Sequence, residues 1–256
     1  MKIAGAQRWL FSAISVRLSV MKFLPIVLSV TEPPGVSGIP DKPEASVREN
    51  VFERDDHTCR YCGFQSKRYM EVNAAPPKQE KLDPSRAEHW VSACRFCHQC
   101  FHLEKVPEMK SGVMIWLPEM SQAALNHVMR AVYVARISQG PMADAARGIL
   151  EELMHRRDEA EARLGTSDPY ILSMVLQNYM EKSHYAARST KLDGVRVLPL
   201  DRRMIREGEL EFNQFPQILA YWRSKDGPFG GKLPAGWWEM YRETVNAPES
   251  RPAEES

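Results

Sequence analysis

The sequence predicts an α+β protein in which a small four-cysteine metal module with short strands precedes a mainly helical region. Three observations carry that prediction. All five cysteines of the 256-residue chain, Cys59, Cys62, Cys94, Cys97 and Cys100, fall between positions 59 and 100. From Ser121 onward, apolar residues recur at helical spacing between start and stop signals. The composition, 43% hydrophobic and 26% charged, is that of an ordinary globular protein, so disordered and fibrous classes are excluded. Lys and Arg total 34 against 33 Asp and Glu. A dedicated nucleic-acid or membrane-surface binder would show a basic excess, so neither is expected as a direct partner.

The first thirty residues carry Lys2, Arg8, Arg17 and Lys22 and no acid. Arg17 and Lys22 interrupt the apolar runs before they reach the ~20 residues that span a bilayer. No small-residue cleavage motif follows. Two readings stay open: Met21 is the true start, or the segment is an amphipathic or disordered tail. Thr31 to Pro43, with four prolines and two glycines, reads as a linker. The expected blocks are 1–44 (extension and linker), 45–118 (metal module), 119–200 (helical region) and 201–256 (aromatic-rich extension with a disordered tail).

Within the module, the run Val113–Pro118 reads as a short strand. Ser121 caps a helix with Leu125, Val128, Met129 and Val132 at helical spacing. A second helix follows the interruption at Pro141 and runs to Leu164, with Ile149, Leu150 and Leu153 on one face and Gly165 as its stop. Ser167-Asp168-Pro169 starts a third. Gly194–Leu200 fits a strand, and Trp222, Trp237, Trp238 and Tyr241 mark an aromatic-rich end.

The chemistry lies in the cysteines. Cys59-x2-Cys62 and Cys94-x2-Cys97 are two knuckles 31 residues apart, the spacing of a tetrahedral four-thiolate zinc site. Gly63 supplies the left-handed turn that ends the first knuckle. One structural Zn2+ per chain is expected on Cys59, Cys62, Cys94 and Cys97, closed to water and substrate; Cys100 stands as a possible replacement ligand. The reducing cytosol suits thiols used this way, and a cytoplasmic location is expected.

The pattern Phe52–Gly63, Met70-Glu-Val72 and Cys94-Arg-Phe-Cys97-His98 resembles the zinc-bearing HNH nuclease domain, which implies an HNH-like, treble-clef module. In that family a histidine after the strand activates water. Here Asn73-Ala74-Ala75 stands at that position, and an amide cannot take a proton from water near neutral pH. His98 and His102 match the family's later histidine element, and His89 falls where an Asn usually stands. Between Val51 and Lys110, ten Lys and Arg face nine Asp and Glu, a poor balance for gripping phosphates. His98 and His102 are therefore expected to pack or hydrogen-bond.

A narrower resemblance follows from Val91–Phe101, Ile115–Asn126, Gly165-Thr-Ser-Asp-Pro169 and Val195-Arg-Val-Leu-Pro199, occurring in that order. Together they resemble the IcmJ/DotN family of the type IVB (Dot/Icm) secretion system over about residues 48–200. The resemblance implies a non-enzymatic zinc-binding subunit of the coupling complex. Such a subunit docks on the cytoplasmic tail of the coupling ATPase DotL, shares that tail with the IcmS–IcmW adaptors, and helps recruit effector proteins. It would be peripheral to the inner membrane only through that partner. Trp116 is the candidate partner contact, since large aromatics dominate such interfaces. The alternative from the residues alone is a metal-dependent HNH endonuclease or nucleic-acid-binding protein.

Overall fold

The computed structural model describes residues 23–38, 40, 42–75 and 82–232. Met21 and the segment before it, and Trp237, Trp238 and Tyr241, lie outside the described residues. The α+β expectation holds: helices alternate with small antiparallel strand pairs.

Helix α1 (Ala45–Arg54) buries Val47, Val51 and Phe52 and ends at Asp55. Asp56 and His57 follow with φ of +50° and +48°, folding the chain back into the first knuckle. Strands β1 (Met70–Ala74) and β2 (Trp90–Cys94) pair antiparallel, Met70 opposite Cys94 and Ala74 opposite Trp90. Every residue of β2 is buried. It runs straight into the short helix α2 (Arg95–His98), so one cysteine closes the strand and the next sits in the helix.

Strand β3 (Gly112–Trp116) leads to α3 (Gln122–Arg136), whose Ser121 hydroxyl accepts the Ala124 N–H at 3.2 Å. Helix α4 (Pro141–Leu164) opens with Pro141 in its first turn rather than being broken by it, and stops at left-handed Gly165. Leu150, Leu153 and Met154 pack on the core, while Ile149 is 45% exposed. Successive helical residues stand about 100° apart, which carries Ile149 to the solvent side of that stripe. Helix α5 (Pro169–Met174) is capped by the Asp168 carboxylate on the Tyr170 N–H and continues as a π-helical turn, Val175–Tyr179. Short helices α6 (Lys182–Ala186) and α7 (Arg188–Lys191) precede β4 (Val195–Pro199), which pairs with β3.

The end of the expected N-terminal extension packs on the core. Leu28 and Val30 are buried, and the Ser29 N–H and C=O bond to Cys100 and Leu103 as an extra strand would. Past residue 200 come a hairpin, β5 (Met204–Glu207) with β6 (Leu210–Asn213), and α8 (Phe215–Arg223). Helix α8 buries Phe215, Ile218, Leu219 and Trp222 in the same cluster as the module's Phe64 and Phe96 and as Tyr133 of α3. One continuous core thus joins the module, the helical region and the described part of the C-terminal extension. No described helix is long and apolar enough to cross a membrane.

Candidate metal centre

The first knuckle is shaped by its backbone. The Gly63 N–H donates to Cys59 C=O and the Cys59 N–H to Phe64 C=O, both at 2.9 Å, and Gly63 takes φ +75°. That conformation is cheap only for glycine. The second knuckle is shaped by the β2–α2 junction. The Arg60 N–H donates to Ser92 C=O at 2.9 Å and stitches the two together. Asp55 braces the same point: its buried carboxylate accepts the Ser92 N–H at 2.7 Å and lies 3.0 Å from Arg54.

These two turns bring the sulfurs of Cys59, Cys62, Cys94 and Cys97 within 4.8 Å of one another, all four residues buried. Cys62 and Cys94 Sγ lie 3.7 Å apart. A tetrahedral centre with metal–sulfur bonds of ~2.3 Å has sulfur edges of ~3.8 Å, so the donor set fits a tetrahedral ion. Cys100 is elsewhere: its Sγ faces the Phe96 carbonyl at 3.3 Å and packs with Leu28 and Val30 in a second apolar cluster. The possibility that it replaces a ligand is not supported by this placement.

Thiols this close cannot all ionise unaided. The other three sulfurs hold Cys62 well below the usual thiol range, while Cys94 is pushed up chiefly by burial and Cys97 chiefly by its neighbours. Only a cation in their midst lets all four become thiolates. Part of the compensation comes from the protein. Arg130 of α3, 1% exposed, places Nη2 2.6 Å from Cys94 Sγ and 3.7 Å from Cys62 Sγ. Its guanidinium lies 4.1 Å from the Phe64 ring centre and 5.3 Å from that of Phe96. Burial works against its charge, yet the four sulfurs outweigh burial and hold its pKa above the ordinary range. One turn earlier Asn126 donates to Cys97 Sγ at 3.3 Å, and His127 meets Cys62 C=O at 2.7 Å. Another turn back, Gln122 bonds both Val197 backbone groups and Asn126.

This polar row was missed from the sequence. Its signal is legible in retrospect: Gln122, Asn126 and Arg130 stand at i, i+4 and i+8 amid Leu125, Met129 and Val132, so they share a buried helical face.

His89, His98 and His102 stand apart from the sulfurs. Asn73, 3% exposed, donates from Nδ2 to Tyr61 Oη at 2.8 Å, and its Oδ1 lies 3.2 Å from His102 Nε2. His102 Nδ1 lies 2.7 Å from Thr31 Oγ1, and His98 stacks on the His102 ring at 4.2 Å. His89 is buried, its Nδ1 accepting the Asp83 N–H at 3.0 Å. Among the described residues, no histidine joins the metal-type cluster. Trp116 is half-buried, with Gly194 against its ring and the Arg163 guanidinium 4.2 Å from the ring centre.

No family model matches the chain. Over 158 residues it is 30% identical to the type 4 apparatus protein DotN of Legionella pneumophila, an alignment spanning 60% of this chain and 72% of that protein.

Proposed function

This chain belongs to the DotN family of type IV secretion apparatus proteins, and from that premise we propose a non-catalytic, zinc-binding subunit of the coupling complex. In this reading Zn2+ is held by Cys59, Cys62, Cys94 and Cys97 of an HNH-like module. The metal supplies folding energy, since four thiolates leave no coordination position for water or substrate. The observation that carries the non-catalytic reading is Asn73. The position where a nuclease of this type keeps its base is a buried amide tied to Tyr61 and His102. An amide in that position takes no proton from water.

The finer reading is that the protein docks on the cytoplasmic tail of a DotL-like coupling ATPase, beside IcmS–IcmW-type adaptors, and helps recruit effectors. It is cytoplasmic and reaches the inner membrane only through that partner. Trp116 is the proposed aromatic anchor. Co-expression with the ATPase C-terminal segment should give a complex that survives gel filtration. Separate elution of the metal-loaded, folded protein at micromolar concentration refutes the docking. Plasmid and single-stranded DNA should stay intact with magnesium, manganese or zinc. Cutting that disappears in His98→Ala or His102→Ala would move the assignment to the nuclease class.

A further inference from the structure

Away from the thiolates, a cleft of about 460 Å³ opens between β1, α2 and the β5–β6 hairpin. Its floor is two guanidiniums, Arg95 and Arg203, with side chains only 16% and 15% exposed. A single carboxylate serves both: Glu71 Oε1 lies 3.5 Å from Arg95 and 3.2 Å from Arg203. Lys42 and Arg206 add positive charge at the rim. Burial works against the Glu71 charge, yet His98, Arg95, Arg203 and Lys42 together hold its pKa below the ordinary value. The lining sets Lys42, Arg95, Lys105, Arg203 and Arg206 against Glu71, Glu108 and Glu211, a cationic surplus around the half-buried Glu71.

Arg203 is also incompletely satisfied. Its Nε is buried with no hydrogen-bond partner among the described residues, and Nη1 donates to the weak acceptor Met109 Sδ at 3.1 Å. Against the same two arginines lies a cavity of about 20 Å³ bordered by Gln99 and Ser111. Gln99 Nε2 and Ser111 Oγ likewise have no partner among the described residues. Buried donors in this state are rare and costly in folded proteins, and they mark places where an acceptor belongs.

We propose that this cleft is a docking site for an acidic peptide segment of a partner protein, one carboxylate seating against Arg95 and Arg203. The planar fork of arginine suits a carboxylate, and Met109 and Ile205 on the wall suit the apolar neighbours of an acidic residue. Glu108 and Glu211 also line the cleft. They oppose a nucleic-acid strand, whose charge continues from residue to residue, more than a peptide with one or two acids. The inference rests on the docking reading above only for the partner's identity.

The test uses the full chain, its fold and zinc content checked first, with a labelled Leu-rich peptide carrying two Glu residues. A Gln/Leu counterpart and a single-stranded DNA of equal charge serve as competitors. Wild type should bind the Glu/Leu peptide in a salt-sensitive way, and Arg203→Gln should weaken it about thirty-fold or more. Lys42→Glu, at the exposed rim, should weaken it by a smaller factor without touching the core. Indifference to both variants, equal binding of the Gln/Leu peptide, or preferential and Arg203-dependent binding of DNA each overturns the proposal. If the ATPase tail fails to bind while the Glu/Leu peptide behaves as expected, the cleft assignment stands and the partner's identity falls.

Discussion

Arg130→Met removes a buried charge while keeping most of the side chain's volume. Four thiolates around a divalent cation hold two negative charges in excess, and Arg130 is the guanidinium set against the sulfurs, 2.6 Å from Cys94. Removing one partner from a buried, hydrogen-bonded charge pair costs about 3–5 kcal/mol. The methionine recovers part of the packing between Phe64 and Phe96 but none of the charge. For a chain of this size each kcal/mol moves Tm by roughly 2–4 °C, so a fall of roughly 6–20 °C is expected. Zinc should also pass faster to a chromogenic chelator, because a more negative centre is more readily protonated and attacked. Arg130→Lys should lie between, since an ammonium keeps the charge but not the flat fork that stacks between rings. Thermal unfolding by circular dichroism and chelator kinetics on the same samples read both effects. An Arg130→Met protein that melts with wild type and releases zinc at the same rate would show that this cation does not stabilise the centre.

Four further outcomes follow from the same geometry. Cys62→Ser or Cys94→Ser should yield metal-free, loosely folded protein, checked by metal analysis and one-dimensional NMR; zinc retained in both refutes the ligand set. Asp55→Ala should cost about 2 kcal/mol at neutral pH, because the Ser92 N–H loses a charged acceptor. Burial works against the Asp55 charge, but bonds from Arg54 and Ser92 prevail and the folded pKa lies below 3.8. Its contribution is therefore complete above that value and fades as pH falls through the lower folded one, so the gap between the two proteins in urea titrations should close below pH ~4. A chain starting at Met21 should melt like the full chain, whereas one starting at Glu32 loses the buried Leu28 and Val30, about 3–5 kcal/mol; equal melting of all three refutes the structural role of that stretch. Gly194→Val should destabilise by about 2 kcal/mol or more, since a Cβ there meets the Trp116 ring at 2.6 Å and φ is +86°; an unchanged Tm counts against the packing described.

Local chemistry made much of this protein legible before any coordinates. Ser121, Asp168 and Gly165 announce helix ends by capping, which depends on a few adjacent residues. The paired knuckles likewise state their purpose, because Cys-x2-Cys closes on itself in one turn, and the four sulfurs do converge. Composition said least about the two ends. Ahead of the proline- and glycine-rich stretch, Leu28 and Val30 are buried beside Cys100 and Leu103. The region after 200 seemed an appendage, yet Trp222 reaches Phe64 and Phe96 of the module.

The sequence by itself determined the two cysteine doublets, the helix ends at Ser121, Gly165 and Asp168 and the amide at position 73, because each is written in residues a few positions apart. Only the tertiary structure decided what surrounds them. It brought Arg130 and Asn126 of α3 onto sulfurs some thirty positions away, paired β3 with β4, and set Arg95 beside Arg203 over one carboxylate. The physical reason is the range of the interaction. Capping and knuckle turns are settled by neighbours along the chain, whereas a buried charge finds its counter-charge only after the apolar core has fixed which distant segments meet.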